Sequence, residues 1–291
     1  MSPLDEPTPL RLALPKGRMQ DEVFRLLADA GIRLRADARG YRPQVSVPGI
    51  EAKLLKPQNI IEMLHAGTRD LGFAGADWVA ELDGELTELL DTGFDPVRLV
   101  AAAPEDLLVD GALPRRPLRV ASEYRRLTLA WIERRGLDAR FVRSYGATEV
   151  FPPEDADLIV DNTATGSTLD ANRLTVVDEL LRSSTRLFAH PRTLEDRGKR
   201  AKIEAIVMLL SAVLEARRRV MLEVNVTAES LERLAAMLPC MREPTIAPLH
   251  GGAGFAVKVA VPRDELPRLI PEIKAHGGTD IVVTALSQIV P

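Results

Sequence analysis

Asp157-Leu158-Ile159-Val160-Asp161-Asn162-Thr163-Ala164-Thr165-Gly166-Ser167-Thr168-Leu169 runs from an apolar strand into an acid, then into small hydroxylated residues, then towards a helix. A strand that hands over to a helix through such a turn marks an α/β sheet, and ligands bind beyond the carboxyl ends of its strands. Each residue type has a physical use there. Backbone N–H groups at the start of a helix converge on phosphate oxygens, and the helix dipole favours the anion. Gly166 lets the backbone approach without a Cβ in the way. Thr165, Ser167 and Thr168 add hydroxyl donors, and Asp161 suits the hydroxyls of a ribose. On spacing alone the cluster also reads as a turn with a helix cap. It is neither a Walker-type loop nor a dinucleotide fingerprint, because Gly-Lys-Ser/Thr and G-x-G-x-x-G are both absent.

Outward from this loop, strand-like runs alternate with helical patterns. Leu10–Leu14 reads as a buried strand and Met19–Ala30 as an amphipathic helix closed by Gly31. Gln44–Val47 and Ala52–Leu55 flank the turn signal Pro48-Gly49, which predicts a hairpin. Asn59–Ala66 is helical, Asp70–Ala74 a buried strand, and Asp77–Leu82 the start of another helix. Strands at Val97–Ala102, Leu118–Ala121, Ala139–Val142 and Ala156–Val160 follow, with a helix at Leu127–Arg135. The alternation implies βαβ units, a largely parallel sheet and two α/β lobes with a cleft. The expected lobes are 10–95, rejoined by about 184–215, and 96–183.

A long helix, Ile203–Arg219, ends in Arg217-Arg218-Arg219, a run that suits the negative end of a helix dipole or a solvated face. Beyond it, residues 216–291 read as βαββαβ, a ferredoxin-like unit. Its strands are Val220–Val226, Thr245–Leu249, Ala256–Val261 and Asp280–Ile289, and its helices are Ser230–Met237 and Asp264–Ala275. Thr227 stands where a cap for the first helix belongs. Gly251–Gly254 reads as a hairpin turn. Few catalytic residue types fall here, which points to assembly or regulation.

Composition narrows the function. The chain has 291 residues, 46% hydrophobic and 27% charged, enough for about two domains. A net charge of -4 argues against nonspecific nucleic-acid binding, which needs clustered positive charge. One cysteine, Cys240, excludes an internal disulfide or a multi-cysteine metal site, and the four histidines lack ligand spacing. Met1–Pro9 has no apolar core of a signal peptide, and stretches such as Ala205–Leu214 are short of a bilayer span. A soluble, cytoplasmic protein without membrane partners is expected.

Several segments, read together, resemble the ATP phosphoribosyltransferases. They are Ala13-Leu14-Pro15-Lys16-Gly17-Arg18, Leu55-Lys56-Pro57-Gln58-Asn59-Ile60, Asp70-Leu71-Gly72-Phe73-Ala74-Gly75-Ala76-Asp77, Tyr145-Gly146-Ala147-Thr148-Glu149-Val150, and the opening loop. The likeness spans residues 10–291, and the last 75 or so resemble the regulatory domain of the family's long form. It implies a two-lobed catalytic region of type II periplasmic-binding-protein architecture that condenses ATP with phosphoribosyl pyrophosphate (PRPP). The products are N1-phosphoribosyl-ATP, the first intermediate of histidine biosynthesis, and pyrophosphate. Mg²⁺ is expected on the PRPP, without a dedicated protein ligand. Histidine is expected as an allosteric inhibitor, with a homo-oligomer, dimer and hexamer, as the assembly.

The resemblance also implies roles for particular residues. Asp161, Thr163, Ala164, Thr165, Gly166, Ser167 and Thr168 would bind PRPP, with Thr165 to Thr168 on the 5-phosphate and Asp161 on the ribose. Lys16, Arg18, Arg39 and Lys56 match basic positions near phosphates; Arg42 competes with Arg39, and Lys56 stands where many relatives carry arginine. Lys16 and Arg18 precede a helix, whose dipole they oppose, which favours a functional reading. Glu149 either orients a substrate or caps a helix. Gly75, Asp77 and Tyr124 are expected near the nucleotide, with Asp77 alternatively capping the helix at Trp78. The rival reading is a non-catalytic two-lobed regulator that binds a small molecule, since fold alone does not separate the two.

Overall fold

The computed structural model describes residues 9–35, 40–241 and 243–290. The chain divides into two compact units, Met1–Arg25 with Ile32–Ala205, and Leu26–Gly31 with Ile206–Pro291.

The larger unit is built from β1 (Leu10–Pro15), α1 (Gln20–Asp29, of which Leu26 onward belongs to the smaller unit), β2 (Leu34–Arg35), β3 (Gln44–Val45), β4 (Ile50–Leu55), α2 (Pro57–His65), β5 (Leu71–Gly75) and α3 (Ala76–Glu81). There follow β6 (Thr87–Pro104), β7 (Leu118–Ser122), α4 (Arg125–Arg135), β8 (Ala139–Arg143), β9 (Leu158–Thr163), α5 (Ser167–Ala171), β10 (Leu174–Ala189) and α6 (Arg197–Arg218), which belongs to the smaller unit from Ile206 onward. Eight strands form one sheet in the order β4-β1-β5-β10-β6-β9-β7-β8. At one end β4, β1 and β5 run parallel, and at the other β9, β7 and β8 do. Between them the long strands β10 and β6 pair antiparallel to each other and to their neighbours. These are the two lobes, and the sheet is mixed rather than largely parallel.

The two crossing strands explain that correction. The sequence signal at Val97–Ala102 covers a third of β6, and β10 carries no alternation that reads as a strand. Gly93, Asp95-Pro96, Asp178-Glu179 and Arg182 interrupt their apolar pattern. Their register shifts repeatedly between Ser183 and Phe188, opposite the turn-like residues Gly93 and Asp95, both at positive φ. Bulges there bend the ribbon where it passes from one lobe to the other. The hairpin expected over residues 44–55 does not form either. β4 instead lies parallel beside β1, burying Ile50, Ala52 and Leu54, while β3 pairs with β2.

Alternate residues of the central strands feed opposite faces. Leu99, Ala101, Val120, Leu158 and Val160 pack with Trp131 on one side. Val100, Ala102, Ala121 and Ile159 pack with Leu169 on the other. Burial on both faces is why these strands read as continuous apolar runs.

The smaller unit contains β11 (Arg219–Val226), α7 (Ala228–Met237), β12 (Thr245–Pro248), β13 (Phe255–Pro262), α8 (Leu266–Ala275) and β14 (Thr279–Ala285). The order βαββαβ is the ferredoxin-like one expected, and the sheet runs β12-β13-β11-β14, antiparallel throughout. Val220, Leu222, Val224 and Val226 alternate inward against Leu234, Leu269 and Ile273. Thr227 occupies the N-cap of α7 but makes no side-chain cap hydrogen bond. Of the arginine run, Arg217 pairs with Asp29 at 2.8 Å and Arg219 with Glu215 at 2.5 Å, so two of the three are tied to the unit's own carboxylates. Cys240 packs against this core and His250 lies in an exposed turn.

Candidate active site

The carboxyl ends of both parallel groups carry the residues singled out above. Lys16 follows β1 and Lys56 follows β4. Because Pro15 stands opposite Leu55 in the parallel register, the two lysines leave the sheet side by side. Lys16, half-buried, sets its Nζ 4.2 Å over the ring of the exposed Tyr41 in a cation–π contact. Lys56 is the N-cap of α2, with Pro57 at the first helical position. Arg18 lies in the loop before α1, its guanidinium 3.3 Å from Asp95 of the β6 bulge and largely exposed. Arg39 lies outside the described residues, as do residues 1–8 of the N-terminal stretch; Arg42 is exposed.

In the other lobe β9 delivers Asp161 and the loop. Gly166 caps α5 at φ 89°, a left-handed conformation that favours glycine. The Thr163 hydroxyl accepts from the Gly166 N–H at 3.1 Å, and Thr165 and Ser167 hydroxyls meet at 3.0 Å. These short-range bonds shape the turn. The N–H groups of the first helical turn, Thr168 and Leu169 among them, have no intrahelical acceptor and face the helix entrance. Arg18, Glu149 and residues 161–169 line one cavity of about 330 Å³. A cation from one lobe and the acid–hydroxyl loop of the other therefore share one space.

Asp161 is electrostatically unusual. Burial pushes its carboxyl up to about 6, and the neighbouring charges of Glu123 and Glu149 add to the effect. The Asn162 N–H, 2.7 Å from Oδ1, and the Thr148 hydroxyl oppose the shift. Glu149 belongs to a short turn, Thr148–Val150, entered through Ala147 at positive φ.

Asp77 does not cap α3. The cap is Gly75, and the Asp77 carboxylate folds back past it so closely that a Cβ at position 75 would collide with Oδ1. Asp77 is buried, with Ser183 Oγ donating to Oδ1 at 2.7 Å and the Tyr124 hydroxyl to Oδ2 at 2.6 Å. Tyr124 is itself fully buried, stacked on Trp78 at 4.6 Å between centroids. Asn162 Nδ2 donates to its hydroxyl at 2.9 Å. Ser183 and Asn162 were not legible as site partners, because 106 and 38 residues separate them from the groups they meet. Among the described residues no three His, Cys, Asp or Glu side chains converge as a metal-ligand group.

A two-lobed α/β unit with a phosphate-type loop at a strand's carboxyl end, followed in the chain by a ferredoxin-like unit, defines the class of protein. Family models narrow it: that of "ATP phosphoribosyltransferase" matches residues 56–212 and that of "HisG, C-terminal domain" matches 216–288. An ATP phosphoribosyltransferase of Pelotomaculum thermopropionicum is 37% identical over 97% of this chain and 99% of its own length. One from Chlorobium phaeobacteroides is 36% identical over 94% of each chain. A solved ATP phosphoribosyltransferase (HisG:HisZ) complex of Thermotoga maritima superposes with a TM-score of 0.64 at 27% identity, over 72% of this chain and 98% of that one. The chain belongs to the ATP phosphoribosyltransferase family, in the long form that carries the C-terminal domain. Nothing in these likenesses favours the non-catalytic alternative.

Proposed function

We propose that the chain transfers the phosphoribosyl group of PRPP to N1 of ATP, the first reaction of histidine biosynthesis. The C1–O bond to pyrophosphate breaks, the N1–C1 bond forms, and pyrophosphate leaves with the bonding electrons. N1 is itself the nucleophile, so the protein's task is positioning and charge stabilisation. The observation that carries this reading is the shared cavity of Arg18 and the Asp161–Leu169 loop.

In it, the N–H groups of the α5 entrance and the hydroxyls of Thr165, Ser167 and Thr168 hold the 5-phosphate, with Gly166, Thr163 and Ala164 shaping the turn. Asp161 accepts from ribose hydroxyls. Lys16, Arg18, Lys56 and Arg39 meet the negative charge that grows on the leaving pyrophosphate, stabilising the transition state more than the ground state. Glu149 sets the field around Asp161. Carboxylate and hydroxyl oxygens at the cavity suit Mg²⁺, a hard cation that keeps several waters and binds mainly through substrate phosphates. Bound with PRPP, it would neutralise pyrophosphate charge, with Asp161 and Glu149 as the protein's oxygen donors in reach.

The smaller unit supports assembly and feedback. β12 and β14 are the edges of its sheet, and Ile246, Val282 and Val283 are exposed on them. Open edges with apolar residues favour pairing between copies, and we assign this unit to a homo-oligomer that histidine selects and inhibits. No helix of the described residues is long and apolar enough to cross a membrane; we place the enzyme in the cytoplasm.

Product formation from ATP, PRPP and Mg²⁺, drawn forward by pyrophosphatase, tests the reading with and without millimolar histidine. Wild-type product that disappears in a Thr165→Ala, Thr168→Ala double variant supports it. PRPP binding without any product would move the chain to a sensor. Activity indifferent to histidine would remove the regulatory assignment.

A further inference from the structure

Below the Asp161 loop a chain of hydrogen bonds passes from lobe to lobe. Ser183 Oγ donates to Asp77 Oδ1, and the Tyr124 hydroxyl donates to Asp77 Oδ2. Asn162 Nδ2 donates to the Tyr124 hydroxyl, and the Asn162 N–H closes on Asp161 Oδ1. α3 of one lobe is thereby joined through α4 of the other to the strand that ends in the phosphate loop. Asp77, Ser183 and Tyr124 are all buried, so each partner in this chain is expensive to lose.

The order of donors is set by chemistry. A phenol carries one proton. Burial and the adjacent Asp77 carboxylate push its ionisation far above the ordinary tyrosine value, so it stays a donor at working pH. That proton goes to Asp77, and only lone pairs remain for Asn162. The Asn162 amide is therefore held with its nitrogen on the phenol. Its carbonyl oxygen remains an acceptor, in a residue that lines the cavity beside Asp161. Ribose hydroxyls are donors, so an acceptor held at this point of the cavity wall suits one of them. Nothing in this arrangement turns an aromatic face to a base, since the Tyr124 ring is fully buried against Trp78.

Deepening the reading above, and resting on it, we propose that Tyr124 is a positioning residue for the ribose half of PRPP: its hydroxyl, anchored on Asp77, orients Asn162 so that Asn162 receives a ribose hydroxyl. Asn162 is then a substrate-contacting residue, and Tyr124 acts through it rather than on the adenine.

The test is calorimetric titration of the full-length protein with Mg²⁺-PRPP, together with the KM for ATP, for wild type, Tyr124→Phe, Asn162→Ala and the double variant. Tyr124→Phe keeps the ring and its packing. It should weaken PRPP binding roughly tenfold, the loss expected for a hydrogen bond between buried groups, and leave the ATP KM within about twofold. In the Asn162→Ala background the same change should cost almost nothing, because the two act as a unit. Independent, multiplying penalties, or a penalty that falls on ATP, would overturn the proposal. Should Tyr124→Phe fail to fold, Asn162→Ala alone decides: PRPP affinity at the wild-type level refutes it, and a loss confined to PRPP supports it. A wild-type chain that binds PRPP but makes no product defeats the proposed reaction, while the titration still reads Tyr124.

Discussion

Asp70 and Asp161 are two aspartates of one sheet with opposite fates. Asp70 precedes β5 and is almost fully buried. It accepts from the Arg11 N–H at 2.8 Å, from the Arg11 guanidinium at 3.1 Å and from Lys199 Nζ at 2.9 Å. Burial alone would raise its carboxyl, but these hydrogen bonds outweigh it and hold the group below the usual carboxylate range. Asp161, at the carboxyl end of β9, is pushed up to about 6 by burial and by the carboxylates of Glu123 and Glu149. One acid is completed by its own chain. The other is placed among like charges, an arrangement that costs stability and is characteristic of sites that act on something else.

The comparison can be broken most sharply at Asp70. Asp70→Asn leaves Arg11 and Lys199 without their counter-charge and should cost about 3 kcal/mol in urea unfolding. The folded fraction should keep its kcat; a loss below about 1 kcal/mol would mean the pair is merely decorative. Asp161→Asn should do the reverse. We expect kcat/KM for PRPP to fall roughly tenfold to a hundredfold while the unfolding free energy rises by about 1 kcal/mol. A variant that is both active and less stable would show that Asp161 is structural.

The pH dependence separates the pair next. Asp70, lowered in the folded state, contributes stability above its unfolded value near pH 4 that is lost as pH falls through its folded value. Asp161, raised, binds its proton more tightly in the folded protein, so this group adds stability as pH falls from about 6 towards 4. Over the same window kcat/KM for PRPP should drop about tenfold per pH unit, and a flat profile between pH 7 and 5 would remove Asp161 from the site. The smallest effect belongs to Asp95, which meets the exposed Arg18 at 3.3 Å. Asp95→Asn should lower kcat/KM by about twofold to threefold and move stability by less than about 0.5 kcal/mol, as solvent-screened pairs do.

The βα junction at Asp161–Leu169 was readable because strand, acid, glycine and helix are consecutive. So were β1, β5, β7 and β9, which are buried on both faces, and the alternating β11. Arg18, which lines the cavity, was readable from its awkward place before a helix. β6 and β10 were not, since a ribbon that crosses between lobes is exposed in stretches and carries bulges with glycine and charged residues. The place of β4 beside β1 was hidden for another reason: Pro48-Gly49 is a local turn signal, while a parallel partner is set by packing 40 residues away.

By itself the sequence determined what depends on neighbours along the chain: the α/β alternation, the phosphate-type loop, the βαββαβ order of the last unit, and the family. Tertiary structure alone decided which strands lie next to which, that Asp77 turns from a helix cap to the Tyr124 hydroxyl, and that the carboxyls of Asp70 and Asp161 are shifted in opposite directions from their ordinary value. Propensities and caps act over a few residues and leave their mark in local pattern. A buried carboxylate takes its energy from whatever the fold brings within a few ångströms, and no local pattern records that.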